Sequence, residues 1–333
     1  MAKESGGSGM SGAAFIAGVG MTPFGRHLDK SIKDLTRAAV DQALADAGAD
    51  KSQIQAAFFS NCTQGHFEGQ HMVRGEIALR AMGIGKIPVV NVENACASAS
   101  TAFHLSVSYV RSGAADVVLA VGAEKMISEN KELMFSAFDA AWDVHEVEQN
   151  KKNLLEMGRG ITPPPGSMSD KPYSVFMDIY AAMGRLHMRE FGTTQRQFAA
   201  VASKNHGHSV HNPLSQYRKP FSIEEVLASP AISYPLTLLM CSPVTDGAAA
   251  AIVCNAEGLR RIAANGKRAV KVLSSVIQTG SDRPSEALEQ HAVRLGALRA
   301  YELAGIGPGD ISVAEVHDAS AIGEIFQSEV LGL

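Results

Sequence analysis

The chain has 333 residues, 46% of them hydrophobic and 19% charged, with a formal net charge of −4. This leaves room for one large domain or two ordinary ones around a substantial core and excludes a disordered chain, and so weak a negative charge gives nucleic acid no footing. Four cysteines, Cys62, Cys96, Cys241 and Cys254, show neither CxxC nor another short metal-ligand spacing, so no zinc site or disulfide framework is expected and a reducing compartment fits. The first twelve residues, MAKESGGSGMSG, read as a linker or tag-like segment, and the folded part is expected to begin at Ala13. No apolar run reaches the roughly 20 residues that cross a bilayer, and no signal-peptide pattern opens the chain, so the expectation is a cytoplasmic protein without a membrane partner.

In chain order, short β-rich runs alternate with helical patterns. AAFIAGVG (13–20) precedes a helix over 31–47, AAFFSNC (56–62) one over 70–82, and IPVVNV (87–92) one over 96–111; ADVVLAVGAE (115–124) follows. Such alternation predicts an α/β fold with a mostly parallel sheet and helices on both faces. The pattern lapses over 125–235, where Met, Pro and polar residues gather around RGITPPPGSMSD and helices are predicted over 173–190 and 195–210. This stretch reads as an inserted, largely helical loop domain. Strand-like GAAAAIVC (247–254), RAVKVLSSVIQ (268–278) and ISVAEVHD (311–318) then return, with helices over 285–304 and 320–330. The expected division is a first half from 13–124 and 236–256, the insertion at 125–235, and a second half over 257–333 that stops early.

Cys96 stands where IPVVNV ends and a helix begins, ahead of the small residues Ala97, Ser98, Ala99 and Ser100. A residue at such a junction faces unpaired backbone N–H groups and the positive end of the helix dipole, which favour an anion and predict a lowered thiol pKa. The carboxyl edge of a doubly wound sheet is also where ligands bind. Cys62, Cys241 and Cys254 read as packing residues, since no helix is expected to start directly behind Cys62 or Cys241 and Cys254 ends an apolar strand. His206, His208 and His211 do not share one helical face, so they read as a solvated helix end and no metal site is expected. His104 reads as a packed residue on the helix after Cys96.

NACASAS (94–100) resembles the nucleophile motif of thiolases. Three longer blocks resemble the sterol-carrier-protein type of that superfamily: GTTQRQFAAVASKNHGHSVHNPLSQYRKPFSIEEVLASPAI, PLTLLMCSPVTDGAAAAIV and GDISVAEVHDASAIGEI. The resemblance implies duplicated βαβαβαββ halves in a layered α/β/α/β/α core, a homodimer or tetramer, and acyl transfer with coenzyme A as co-substrate and no tightly bound cofactor. It implies that Cys96 takes the acyl group and that His317, in EVHDAS, donates to the enolate oxygen, with Asp318 orienting the loop. The Gly-His-Pro and Cys-x-Gly motifs that follow in thiolases are not among the 333 residues, which suggests a truncated sequence ahead of the alternative, a degenerate member of the family. Where sterol-carrier thiolases carry Cys-Phe after His-Asp, this sequence has Ala319 and Ser320, suggesting a different acyl pocket. That variant resembles enzymes of anaerobic aromatic breakdown such as benzoylsuccinyl-CoA thiolase, which implies a small zinc-ribbon and OB-fold partner subunit. A thiolase-fold aldolase and a noncatalytic scaffold subunit remain as alternatives.

Overall fold

The structure, a computed structural model, describes residues 12–262 and 268–333. The expected linker therefore lies outside the described residues except for Gly12. In chain order the elements are β1 (Ala14–Met21), α1 (Ile32–Ala47), β2 (Ala56–Ser60), α2 (Gln64–Glu68), α3 (Arg74–Arg80), β3 (Val89–Val92), α4 (Ser98–Arg111), β4 (Val117–Glu124), α5 (Lys131–Ser136), α6 (Val147–Glu156), α7 (Val175–Phe191), α8 (Gln195–Ser209) and α9 (Ile223–Leu227). They continue with β5 (Ala231–Ser233), β6 (Leu236–Thr237), β7 (Gly247–Cys254), α10 (Ala256–Arg261), β8 (Val270–Val272), α11 (Ala292–Ala304) and α12 (Ala321–Leu331). Among the described residues they fall into two compact units, one drawn from 12–127 and 245–277, the other from Ser128–Val244 and Gln278–Leu333.

The first unit holds a six-stranded sheet in the order β3-β2-β4-β7-β1-β8. β2 pairs in parallel with β3 and β4, whereas β7 runs antiparallel to both β4 and β1, and β8 antiparallel to β1. The sheet is buried on both sides, which alternate along the central strands. Ala57, Phe59, Val117, Leu119 and Val121 face a core shared with α1 and α3, while Phe58, Val118 and Ala120 face one shared with Ala102, Val107 and Val110 of α4. Helix α1 starts at a capping box between Ser31 and Asp34 and stops at Gly48, whose φ of 65° is left-handed. Its buried residues Leu35, Ala39, Val40, Ala43, Leu44 and Ala47 recur at the helical period.

Glycine lets α1 lie directly on β1. A Cβ on Gly20 would stand 2.1 Å from Ala39 O and 2.5 Å from Ala43 N, both backbone atoms that cannot swing aside. Gly20→Ala is therefore expected to cost about 3 kcal/mol, the upper end for overpacking, read as a lower urea midpoint. Gly25→Ala is the control, since nothing lies within 4 Å of an added Cβ there.

The second unit packs Ala181 and Leu186 of α7, Phe198, Ala199 and Ala202 of α8, Val226, Leu236, Met240, and Ile322 and Phe326 of α12 into one core. Capping boxes Thr194–Gln197 and Ser222–Glu225 open α8 and α9. His187 is buried in this core and joins α7 to α12: its Nε2 lies 3.0 Å from a Glu329 carboxylate oxygen and its Nδ1 2.7 Å from Thr193 Oγ1.

The sheet is mixed rather than mostly parallel, because β7 inserts antiparallel between β4 and β1 and β8 adds antiparallel to β1, and two predicted strands also differ. RAVKVLSSVIQ is paired only over Val270–Val272, and ISVAEVHD forms no strand. Residues 311–318 find no ladder partner among the described residues, and β-rich sequence becomes a strand only where a neighbour completes its backbone hydrogen bonds. Residues 257–262 and 268–277 group with the first unit, to whose sheet β8 belongs, and 278–333 group with 128–244.

Candidate active site

The carboxyl ends of β2, β3 and β4 lie side by side because these strands run parallel. They carry Asn61, Cys62 and Thr63 after β2, Glu93 to Cys96 after β3, and Glu124 as the last residue of β4. The Glu124 carboxylate gathers the first of these loops. Its Oε2 accepts from the Cys62 amide at 2.8 Å, and its Oε1 accepts from the Thr63 amide and Asn61 Nδ2, each at 2.9 Å. Burial nevertheless holds the Glu124 carboxyl above its ordinary value, because the donors only partly replace lost water. Asn61, itself buried, accepts from Arg74 Nη1 at 2.8 Å.

Cys96 lies in a 3-10 turn, Ala95–Ala97, ahead of α4. Ala95 has a φ of +46°, a left-handed conformation that costs an alanine on the order of 1–2 kcal/mol. Small residues let the start of α4 sit close to the sheet: a Cβ on Gly122 would come within 3.1 Å of the Ala99 Cβ. Of the four cysteines, Cys96 is the exposed one; Cys254 is buried, and Cys62 and Cys241 are intermediate. Burial pushes the thiols of Cys241 and Cys254 up to about 12, as it does that of Cys62, where a hydrogen bond to Glu93 adds to the effect.

The expected lowering of the Cys96 thiol is not what the structure gives. Although the residue is exposed, atoms crowding its sulfur displace water and raise the thiol above its ordinary value. The backbone amide of Cys96 opposes this and the Glu124 carboxylate reinforces it. The physical reason is placement: α4 proper begins two residues after Cys96, and an acidic side chain faces the turn. A second expectation also fails, since Cys62 does precede a helix, the short α2.

His317 belongs to the second unit and is exposed. Its amide donates to Gln327 Oε1 at 3.0 Å and its carbonyl accepts from Gln327 Nε2, so α12 fixes the backbone of this residue. Asp318 accepts from Asn205 Nδ2 at 3.1 Å, and the same nitrogen donates to Glu324 Oε2 at 2.7 Å. Burial first, then the nearby Glu324 charge, raises the Asp318 carboxyl.

The other histidines singled out in the sequence lie in local surroundings of their own. His206 is half-buried rather than fully solvated: its Nε2 donates to Leu239 O at 3.1 Å, and its ring meets Phe221 edge-on at 4.9 Å. His208 and His211 are exposed. His104 Nδ1 lies 3.1 Å from Ser275 Oγ. Among the described residues no group of three or more His, Cys, Asp or Glu is arranged to hold a metal ion, and no helix is long and apolar enough to cross a membrane. Sequence reasoning missed Glu93, Glu124, Asn61 and Asn205. A polar residue closing an otherwise apolar strand, as Glu124 closes VVLAVGA, was the available signal for that one.

Comparison with known proteins gives the family of the chain. Residues 14–229 match the thiolase N-terminal domain. Sterol carrier protein 2 of Gallus gallus is 34% identical over 97% of this chain, which spans 57% of that protein's length. The benzoylsuccinyl-CoA thiolase subunit BbsB of Thauera aromatica is 33% identical over 96% of the chain, which covers 75% of it. An acetyl-CoA acetyltransferase of Methanothermobacter thermautotrophicus is 33% identical over 95% of this chain and 76% of its own. Among solved structures, the Ltp2-ChsH2(DUF35) aldolase superposes with a TM-score of 0.71 at 23% identity, covering 97% of this chain and 78% of that one, a likeness of fold. With a domain match of this extent and a third of its residues shared with thiolases along nearly its whole length, the chain belongs to the thiolase superfamily.

Proposed function

We propose that the protein is a thiolase-type acyltransferase that cleaves or forms 3-oxoacyl-CoA through an acyl group carried on Cys96. The observation that carries this is the exposed Cys96 on a left-handed turn at the carboxyl end of parallel strands, while the other three cysteines are buried or half-buried. In the cleavage direction the sulfur bonds to C3 of the substrate and the C2–C3 bond breaks. Its electron pair passes onto the thioester oxygen of a departing enolate, which then gains a proton at C2. The thiolate of coenzyme A next attacks the Cys96 thioester, forming the new acyl-CoA and freeing the sulfur. Because the thiol lies above its ordinary value, a proton acceptor must meet the sulfur before attack.

His317 is assigned as the donor to the enolate oxygen, with coenzyme A as co-substrate and no metal. His317→Ala is expected to lower kcat by about 10²-fold with KM little changed, as for loss of one oxyanion donor; steady-state kinetics on acetoacetyl-CoA check it, and a rise in KM alone would assign His317 to binding. The likeness to a benzoylsuccinyl-CoA thiolase subunit supports an aromatic or branched acyl group, benzoylsuccinyl-CoA among the candidates, and a partner subunit, proposed to be a small zinc-ribbon and OB-fold protein; a homodimer or tetramer in the cytoplasm completes the proposal.

The aldolase among the structural neighbours favours a second reading, cleavage of 3-hydroxyacyl-CoA. Intact mass after mixing with a 3-oxoacyl-CoA decides between them. An acyl adduct on Cys96 supports the thiolase; cleavage of a 3-hydroxyacyl-CoA with no adduct supports the aldolase; and neither reaction would leave the scaffold role.

A further inference from the structure

Glu93 is the first residue after β3 and stands three positions before Cys96. One oxygen of its carboxylate accepts two hydrogen bonds, from the Ala95 amide at 2.6 Å and from the Cys62 thiol at 3.1 Å. The other end of Ala95 is held as well: its carbonyl accepts from Ser98 Oγ at 2.7 Å, and that hydroxyl accepts from the Asn94 amide at 2.8 Å. Both peptide groups of Ala95 are thus tied down while its φ is +46°, a value that an alanine leaves unless restrained. The next backbone N–H is that of Cys96, the group that favours its thiolate. We propose that Glu93 is a positioning residue, whose carboxylate holds Ala95 left-handed and thereby aims the amide and sulfur of Cys96 while tying the loop after β2 to the same turn.

The charges around this turn allow it. The Ala95 amide first, then the Cys62 thiol and the more distant Arg74, keep the Glu93 carboxyl below the usual carboxylate range, so it is ionised at neutral pH. Glu124 is the acidic group that acts on the Cys96 thiol. Glu93 could act on that thiol through geometry or through charge, and the two have opposite signs. Removing a negative charge makes a nearby thiolate easier to form, whereas losing the aimed amide makes it harder.

The test is the pH profile of Cys96 alkylation by iodoacetamide, read by mass spectrometry on the full chain. Glu93→Ala is expected to move the profile to higher pH, slowing alkylation roughly threefold at neutral pH. Glu93→Gln, whose amide oxygen still accepts from Ala95, keeps the profile at or below that of the parent. Ala95→Gly added to Glu93→Ala restores it, because glycine adopts positive φ without restraint. A profile that moves down or stays in place in Glu93→Ala, or Glu93→Gln as impaired as Glu93→Ala, would overturn the proposal; circular dichroism confirms that each variant folds. The catalytic consequence, about a tenfold lower kcat at unchanged KM, rests on Cys96 being the nucleophile. Should the parent chain form no acyl adduct, that reading fails while the alkylation profiles still decide the positioning role.

Discussion

Cys96→Ser is expected to lower turnover of a 3-oxoacyl-CoA by about 10⁴-fold or more, a loss typical of removing a covalent nucleophile. Serine fills nearly the same space, so shape is kept while the chemistry goes. A hydroxyl gives up its proton far less readily than a thiol, and the acidic Glu124 nearby would disfavour an alkoxide as it disfavours the thiolate. Because Cys96 is exposed, the folded state hardly registers the change, and stability should stay within about 0.5 kcal/mol. Turnover within tenfold of the parent, from a variant that folds and assembles normally, would remove Cys96 from the mechanism. A large loss of stability would instead show that the residue serves packing.

The largest effect on stability is expected at Asp246, which precedes β7 and is fully buried. Its Oδ1 accepts from the amides of Met126 and Ile127 at 2.8 and 2.9 Å, and its Oδ2 accepts from the His27 amide at 3.1 Å, with Lys125 Nζ 3.8 Å away. One carboxylate therefore ties the segment after β1 and the segment after β4 to the start of β7. Asp246→Ala strands three buried or half-buried N–H groups and leaves the Lys125 ammonium without its counter-charge. The expected cost is about 4 kcal/mol, in the range for breaking a buried ionic network. Asp246→Asn keeps an acceptor for Met126 and Ile127 but turns an NH₂ toward the His27 amide, so it should lie between the two. Urea denaturation followed in the full chain checks the order, and an unchanged midpoint for Asp246→Ala would refute the structural role.

Much of the fold was legible. The helical pattern over 31–47 and the runs AAFFS and VVLAVGAE state their elements through local chemistry, because periodicity acts within a few residues. The strand that separates β4 from β1 was legible as a strand, though not as their neighbour: β7 comes more than a hundred residues after β4, and pairing partners are not encoded locally. ISVAEVHD shows the same limit from the other side, since its β-rich composition met no partner among the described residues.

At the candidate site the sequence by itself determined which sulfur to suspect, because a cysteine between an apolar strand and a run of small residues has a recognisable local signature. It also determined the superfamily, through blocks long enough to resemble thiolases. Only the tertiary structure decided the state of that sulfur. Glu124, whose charge raises the thiol further, lies at the end of a different strand and is brought toward the Cys96 turn by the parallel pairing of β2, β3 and β4. Electrostatics and desolvation depend on distance in space, and a linear chain does not record that distance until the sheet has formed.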